Sequence, residues 1–285
     1  MRAENPSRAL ALVLVDELVR AGLTDACLAP GSRSAPLAMV LAGHPGVRLH
    51  VSIDERSAAF LALGLAKAAG RPAAVVSTSG TAAANFHPAV VEADLSRTPL
   101  LVLTADRPPE LRETGANQTI DQVKLYGGAV RWFAEVGAPE ARPASVGYWR
   151  SLADRAWALA AGGGPVHLNL SFRDPLVPVR EGDGFPYDLS GRPGGRVWTD
   201  VRAPSASLTE EDLDRLAGEI GAAERGLAVV GDGAAGAAPV LDLAQAAAWP
   251  VVAEAVSGLR RGPNAVSAYD ALLRHAPFAR THRPD

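Results

Sequence analysis

Cysteine is nearly absent. One thiol, Cys27, in 285 residues rules out an intrachain disulfide framework and a thiolate metal site, and it fits a reducing compartment. Cys27 lies in the apolar run Ala26-Cys27-Leu28-Ala29 and reads as a core residue. Basic runs are missing too, and the net charge is −3, which argues against nucleic acid as the main partner. No stretch reaches the roughly 18 apolar residues that a membrane span needs. The opening residues, Met1 to Pro6, lack the apolar centre of a signal peptide. The expectation is a cytoplasmic protein. No His, Cys or Asp cluster has metal-ligand spacing, so no metal ligand is assigned. What the chain has is apolar content, 48% hydrophobic against 21% charged residues, enough for a core in one large or two ordinary domains.

Asn5-Pro6 reads as the cap and first residue of a helix ending at Gly22, with Leu10, Val13, Leu14 and Val19 as its apolar positions. Beyond it, strands are expected at 26–29, 47–53, 73–77, 100–104, 133–136 and 166–170. Helices are expected at 35–41, 55–69, 82–95 and 145–161. Ala73-Ala-Val-Val76 and Leu100-Leu-Val-Leu103 are continuous apolar runs, the pattern of strands covered on both faces. Six such strands alternating with helices give a doubly wound α/β fold with a mostly parallel sheet. Ligands bind such sheets at the carboxyl ends of the strands.

Residues 1–175 form this first domain. Residues 176–207, rich in Pro and Gly, read as a linker. Residues 208–285 read as an incomplete second α/β domain, because two or three strands make no stable sheet of this kind. The expectation is a fragment of a longer protein.

Four strand ends carry chemistry. Glu55 sits where the 47–53 strand meets an apolar helix, so its carboxylate is expected to be partly desolvated, or else to belong to a capped helix start with Asp54 and Arg56. Pro30-Gly-Ser-Arg-Ser-Ala-Pro36 places Arg33 above the sheet edge, where a guanidinium can grip a carboxylate or phosphate; a solvated arginine beside a capped helix is the plainer alternative. Ser77-Thr-Ser-Gly-Thr-Ala-Ala-Ala-Asn85 offers close backbone approach and a helix start, without the lysine of a P-loop or the glycine spacing of a dinucleotide fingerprint. Thr104-Ala-Asp-Arg-Pro-Pro-Glu110 opens a long loop through Asn117 and Gln118, and loops of that length are often functional.

Taken together, Ala29-Pro-Gly-Ser-Arg-Ser-Ala-Pro36, Asp54-Glu-Arg-Ser-Ala-Ala-Phe60, Thr78-Ser-Gly-Thr-Ala-Ala-Ala-Asn85, Leu103-Thr-Ala-Asp-Arg-Pro108 and Asn117-Gln118 resemble the N-terminal, pyrimidine-binding domain of the thiamine-diphosphate enzymes. More narrowly, they resemble the carboligases of menaquinone biosynthesis. The resemblance implies a transferase that decarboxylates 2-oxoglutarate and adds the resulting carbanion to isochorismate. It implies thiamine diphosphate as cofactor, with Mg2+ or Mn2+. It makes Glu55 the residue that hydrogen-bonds the aminopyrimidine ring and favours its imino tautomer, with Gly80 and Thr81 against the cofactor. It places Ser32, Arg33, Arg107, Asn117 and Gln118 on the substrate side.

In that family the diphosphate and metal are held by a C-terminal domain whose signature begins Gly-Asp-Gly and ends in Asn. Gly231-Asp-Gly233 imitates its start. The following strand, however, ends in Glu254-Ala-Val-Ser-Gly258, and Asn264 falls too late, so these glycines read as a strand-to-helix turn. The fragment alone is therefore expected to be inactive, and the full-length enzyme to be a homodimer or homotetramer. Two alternatives stay open: another thiamine-diphosphate decarboxylase or synthase, and a non-catalytic α/β module that binds an acidic metabolite or a partner chain.

Overall fold

The computed structural model describes residues 2–179, 184–202 and 206–285. The chain divides into two units, Met1–Ala203 and Pro204–Asp285.

In chain order the first unit holds α1 (Pro6–Ala21), β1 (Asp25–Leu28), α2 (Ala35–Gly43), β2 (Arg48–Val51), α3 (Glu55–Ala69), β3 (Ala73–Ser77), α4 (Thr81–Ala84), α5 (His87–Leu95), β4 (Leu100–Asp106), β5 (Trp132–Glu135), α6 (Ser145–Ala161) and β6 (Pro165–Ser171). The strands form one parallel six-stranded sheet in the order β2-β1-β3-β4-β6-β5. The direction of winding reverses between β1 and β3, which is where such sheets open a ligand crevice.

The continuous apolar strands are explained by helices on both faces. Leu101 and Leu103 of β4 join a core with α1, α2 and α6. Leu100 and Val102 of the same strand join a second core with α3 and α5. Period-two alternation thus feeds two cores instead of one core and water. Cys27 lies fully buried in the second core, and burial pushes its thiol up to about 12, which leaves it inert.

Two expectations need correcting. The single helix expected over 82–95 is two, α4 and α5, because Pro88 near the start of α5 has no N–H to continue the ladder. Much of the stretch expected as a linker packs onto the first unit. Phe185, Tyr187 and Leu189 join the core beside α1 and α6. The buried carboxylates of Glu17 and Asp154 accept the Trp198 and Thr199 N–H groups, and Arg150 donates to the Leu189 carbonyl. Buried charges need such partners, and the strap supplies them. Residues 180–183 and 203–205 of that stretch lie outside the described residues.

The second unit holds α7 (Glu210–Ala222), β7 (Ala228–Val230), α8 (Pro239–Ala246), β8 (Val251–Ala253), α9 (Tyr269–Arg274) and α10 (Ala276–Thr281). β7 and β8 pair in parallel over a small core of Val230, Ala244, Val251, Ala253 and Leu259. Gly233 follows β7 with φ +81°, and its N–H bonds to the Asp232 side chain at 2.9 Å, a local turn. The Asn264 amide donates to the carbonyls of Ala244 and Trp249, which ties it to the end of α8.

Candidate active site at the carboxyl ends of the strands

Glu55 is the first residue of α3, just beyond edge strand β2. The cap itself is Asp54, whose carboxylate accepts the Ser57 N–H at 2.7 Å. Hydrogen bonding to Ser57 holds the Asp54 carboxyl below its ordinary range. Glu55 is therefore released from capping. It is half-buried, and its one side-chain partner among the described residues is the Asn85 amide at 3.5 Å, at the outer limit of a hydrogen bond. Around it Val51 and Ile53 are 63% and 89% exposed, and Phe60 and Leu61 on α3 are also exposed.

The end of β3 organises two arginines. Thr78 Oγ1 accepts the Arg33 backbone N–H at 3.3 Å, and the Ser79 hydroxyl accepts from the Arg107 guanidinium. Gly31 makes the first approach possible, since a Cβ there would lie 2.4 Å from Thr78 Cβ. Arg33 is buried; its Nη1 donates to the Phe172 carbonyl at 2.8 Å and to Asp174 Oδ2 at 3.0 Å. Its Nε is buried without a partner among the described residues.

Arg107 is buried as well, with Nη2 donating to the Asn117 carbonyl at 3.0 Å and its side-chain oxygen at 3.4 Å. Burial, and then the neighbouring Arg33 charge, lower the Arg107 pKa. Arg33 is near enough to disfavour the charge on Arg107, and two guanidiniums side by side under little solvent have the chemistry to hold an anion.

Gly80 has φ +83° and ψ −147°, a conformation that belongs to glycine. Its N–H is bonded to Gln122 Oε1 at 2.8 Å, and its carbonyl accepts from Ala83. The Gly80 loop thus presents shape rather than a free donor. Gln118 locks against it: Gln118 Nε2 donates to the Ser79 carbonyl at 3.0 Å, and the Ser79 hydroxyl donates to the Gln118 carbonyl at 3.2 Å.

Behind these loops lies a buried polar network. Asp106 Oδ1 accepts the Arg107 N–H at 2.7 Å, and Oδ2 accepts from Asn169 at 2.9 Å and Arg112 at 2.8 Å. Burial raises the Asp106 pKa against those bonds. Asn169 Oδ1 receives Thr104 Oγ1 and Gln122 Nε2, and the Thr104 hydroxyl meets His167 Nε2 at 2.7 Å.

The structure gathers Arg33, Arg107, Asn117 and Gln118 around Thr78 and Ser79, with Gly80 adjoining. The side chains of Ser32 and Thr81 are exposed and bond no described residue. Sequence reasoning missed Asp106, Gln122, Asn169 and Asp174. Asp106 stood inside the Thr104–Glu110 motif and Gln122 four residues past Gln118, but neither spacing announces a buried bond. Among the described residues no group of three or more His, Cys, Asp or Glu side chains could hold a metal ion, and no helix is long and apolar enough to cross a membrane.

The profile of the thiamine pyrophosphate enzyme N-terminal TPP binding domain matches residues 8–125, the stretch that runs from α1 through β4 of this parallel sheet. Nearly the whole chain is also similar to part of the 2-succinyl-5-enolpyruvyl-6-hydroxy-3-cyclohexene-1-carboxylate synthases. The Thermobifida fusca synthase is 55% identical over 289 residues, 99% of this chain and 50% of that protein. The Saccharopolyspora erythraea synthase is 50% identical, with 99% and 50% covered, and the Geobacillus kaustophilus synthase 49% identical, with 96% and 48% covered. The chain spans about half the length of the curated relatives it matches.

Proposed function

We propose that the first unit is the pyrimidine side of a thiamine-diphosphate-dependent transferase. The reaction is decarboxylation of 2-oxoglutarate and addition of the resulting succinyl-semialdehyde carbanion to isochorismate, giving 2-succinyl-5-enolpyruvyl-6-hydroxy-3-cyclohexene-1-carboxylate for menaquinone biosynthesis. The observation that carries the reading is the buried pair Arg33 and Arg107 gathered over the end of β3, on a sheet whose edge strand β2 leads into Glu55. Both substrates are acids with more than one carboxylate, and a guanidinium pair suits them.

The pyrimidine end of the cofactor fits the residues present. Glu55 has a weakly engaged carboxylate, and its flanks Val51, Ile53 and Phe60 are exposed and apolar. When bound, thiamine diphosphate supplies the acidic carbon and the electron sink for decarboxylation. Glu55 would accept a hydrogen bond from the ring nitrogen and so favour the tautomer that can take up a proton. Gly80 and Thr81, at the start of α4, would border the cofactor. Arg33 and Arg107, with Ser32, Asn117 and Gln118 beside them, bind and orient the isochorismate carboxylates.

The diphosphate, with Mg2+ or Mn2+, is held by chain outside residues 1–285 in this reading, and a second subunit covers the apolar face beside Glu55. The full-length protein is then a cytoplasmic homodimer or homotetramer.

The test is turnover by the full-length protein, with isochorismate loss and product formation followed by mass spectrometry. Consumption that needs 2-oxoglutarate, thiamine diphosphate and a divalent ion together supports the reading. Turnover of pyruvate without isochorismate assigns a different decarboxylase of the same class. Binding of isochorismate with no turnover assigns a binding module. An active monomer in sedimentation overturns the shared site.

A further inference from the structure

Asp174 lies just beyond the end of β6, and Oδ2 accepts from Arg33 Nη1 at 3.0 Å. We propose that Asp174 is an internal stand-in for a substrate carboxylate, which competes for Arg33 and sets how strongly the site selects acids of high negative charge. The inference rests on the reading of Arg33 as a carboxylate-binding residue.

Arg33 does not need Asp174 to hold its place. Its backbone is fixed to Thr78, and the same Nη1 donates to the Phe172 carbonyl at 2.8 Å, a main-chain group that stays where the strand puts it. The Asp174 side chain differs. It is 70% exposed while the Arg33 side chain is 10% exposed, and among the described residues it has no other hydrogen-bond or ion-pair partner. A carboxylate standing mostly in water loses little by turning outward. Arg33 keeps capacity for an incoming group, because its Nε is buried without a partner among the described residues.

Charge points the same way. Arg33 works against the charge on Arg107, and Asp174 favours it. One internal carboxylate thus offsets part of the field of two guanidiniums. An acid with two carboxylates replaces that offset fully, whereas a monoacid replaces it without gain. Removing the Asp174 charge strengthens the pull on an acid held by Arg33, and the gain is larger for the more highly charged one.

Asp174→Asn and Asp174→Ala in the full-length protein test this, with steady-state kinetics and calorimetric titration of isochorismate. Both variants are expected to lower the isochorismate KM and Kd by about two- to fivefold, the range an exposed ion pair is worth, with less effect at high salt. The KM for 2-oxoglutarate is expected to stay put. If Asp174 instead orients Arg33, Asp174→Ala raises the isochorismate KM and Asp174→Asn restores it, which overturns the proposal. An unchanged KM in both folded variants overturns it too. A wild type that binds isochorismate without turning over, yet binds it tighter as Asp174→Asn, refutes the catalytic reading and keeps this one. If wild type and variants alike fail to bind isochorismate, both readings fall.

Discussion

Gln122 holds Gly80 by its main chain: the buried Gln122 Oε1 accepts the Gly80 N–H at 2.8 Å. Its Nε2 donates to the Ala105 carbonyl at 3.2 Å and to Asn169 Oδ1 at 2.9 Å. One side chain therefore fixes the β3 loop to the ends of β4 and β6. Gln122→Met, similar in shape, leaves three buried polar groups short of a partner. The expected loss is about 1–3 kcal/mol in urea unfolding of the 285-residue chain.

Gly80 itself is predicted to resist substitution. A Cβ there would stand 2.9 Å from Gln118 Cγ and 3.0 Å from the Gln118 carbonyl oxygen, on a backbone that side-chain-bearing residues avoid. Gly80→Ala is expected to cost about 1–3 kcal/mol by chemical denaturation. In the full-length protein it should also displace Gln118 and raise the isochorismate KM.

Glu55 and Asp54 separate in their predicted effects. Glu55→Gln keeps the size of the side chain and leaves the Asp54 cap intact. Thermal melting is expected to stay level, while the full-length protein loses about 100-fold or more in turnover. Asp54→Ala is expected to do the reverse, lowering the melting temperature through the lost bond to Ser57.

Stability should vary with pH through two buried groups of opposite sign. Burial pushes His167 down from 6.5 to about 3. Between those values the unfolded chain takes a proton that the folded one refuses, so stability complete above 6.5 is lost as pH falls toward 3. Burial, and then the Glu17 charge, raise Asp154 from 3.8 to about 6. There the folded chain holds the proton that the unfolded one gives up, so stability is gained as pH falls from 6 to 3.8. The two trends oppose in that window. Asp154→Asn, which can still accept the Thr199 N–H, is expected to be about 1–3 kcal/mol more stable than wild type at pH 7.5. It should also show a steeper acid loss in urea titrations at pH 7.5 and pH 5.

The sheet was legible because β3 and β4 are unbroken apolar runs, and the strand-end motifs were legible because Gly31, Arg33 and Arg107 follow such runs and Glu55 follows an alternating one. Side-chain bonds between loops were not. Gln122, Asp174 and Asn169 acquire partners 42, 141 and 63 residues away, at Gly80, Arg33 and Asp106, and no local pattern encodes a pairing of that range. The strap misled for a related reason. Its prolines and glycines imitate a linker, while the buried charges that hold it, Glu17, Arg150 and Asp154, belong to two distant helices.

The strand order has one more consequence. Glu55 follows β2 and Arg107 follows β4, with β1 and β3 between them. Three strand spacings amount to about 14 Å. No single small acid bridges that interval. The edge of the sheet is a ruler, and in the proposed reading the cofactor would take its β2 end while the acids would take the end over β3 and β4.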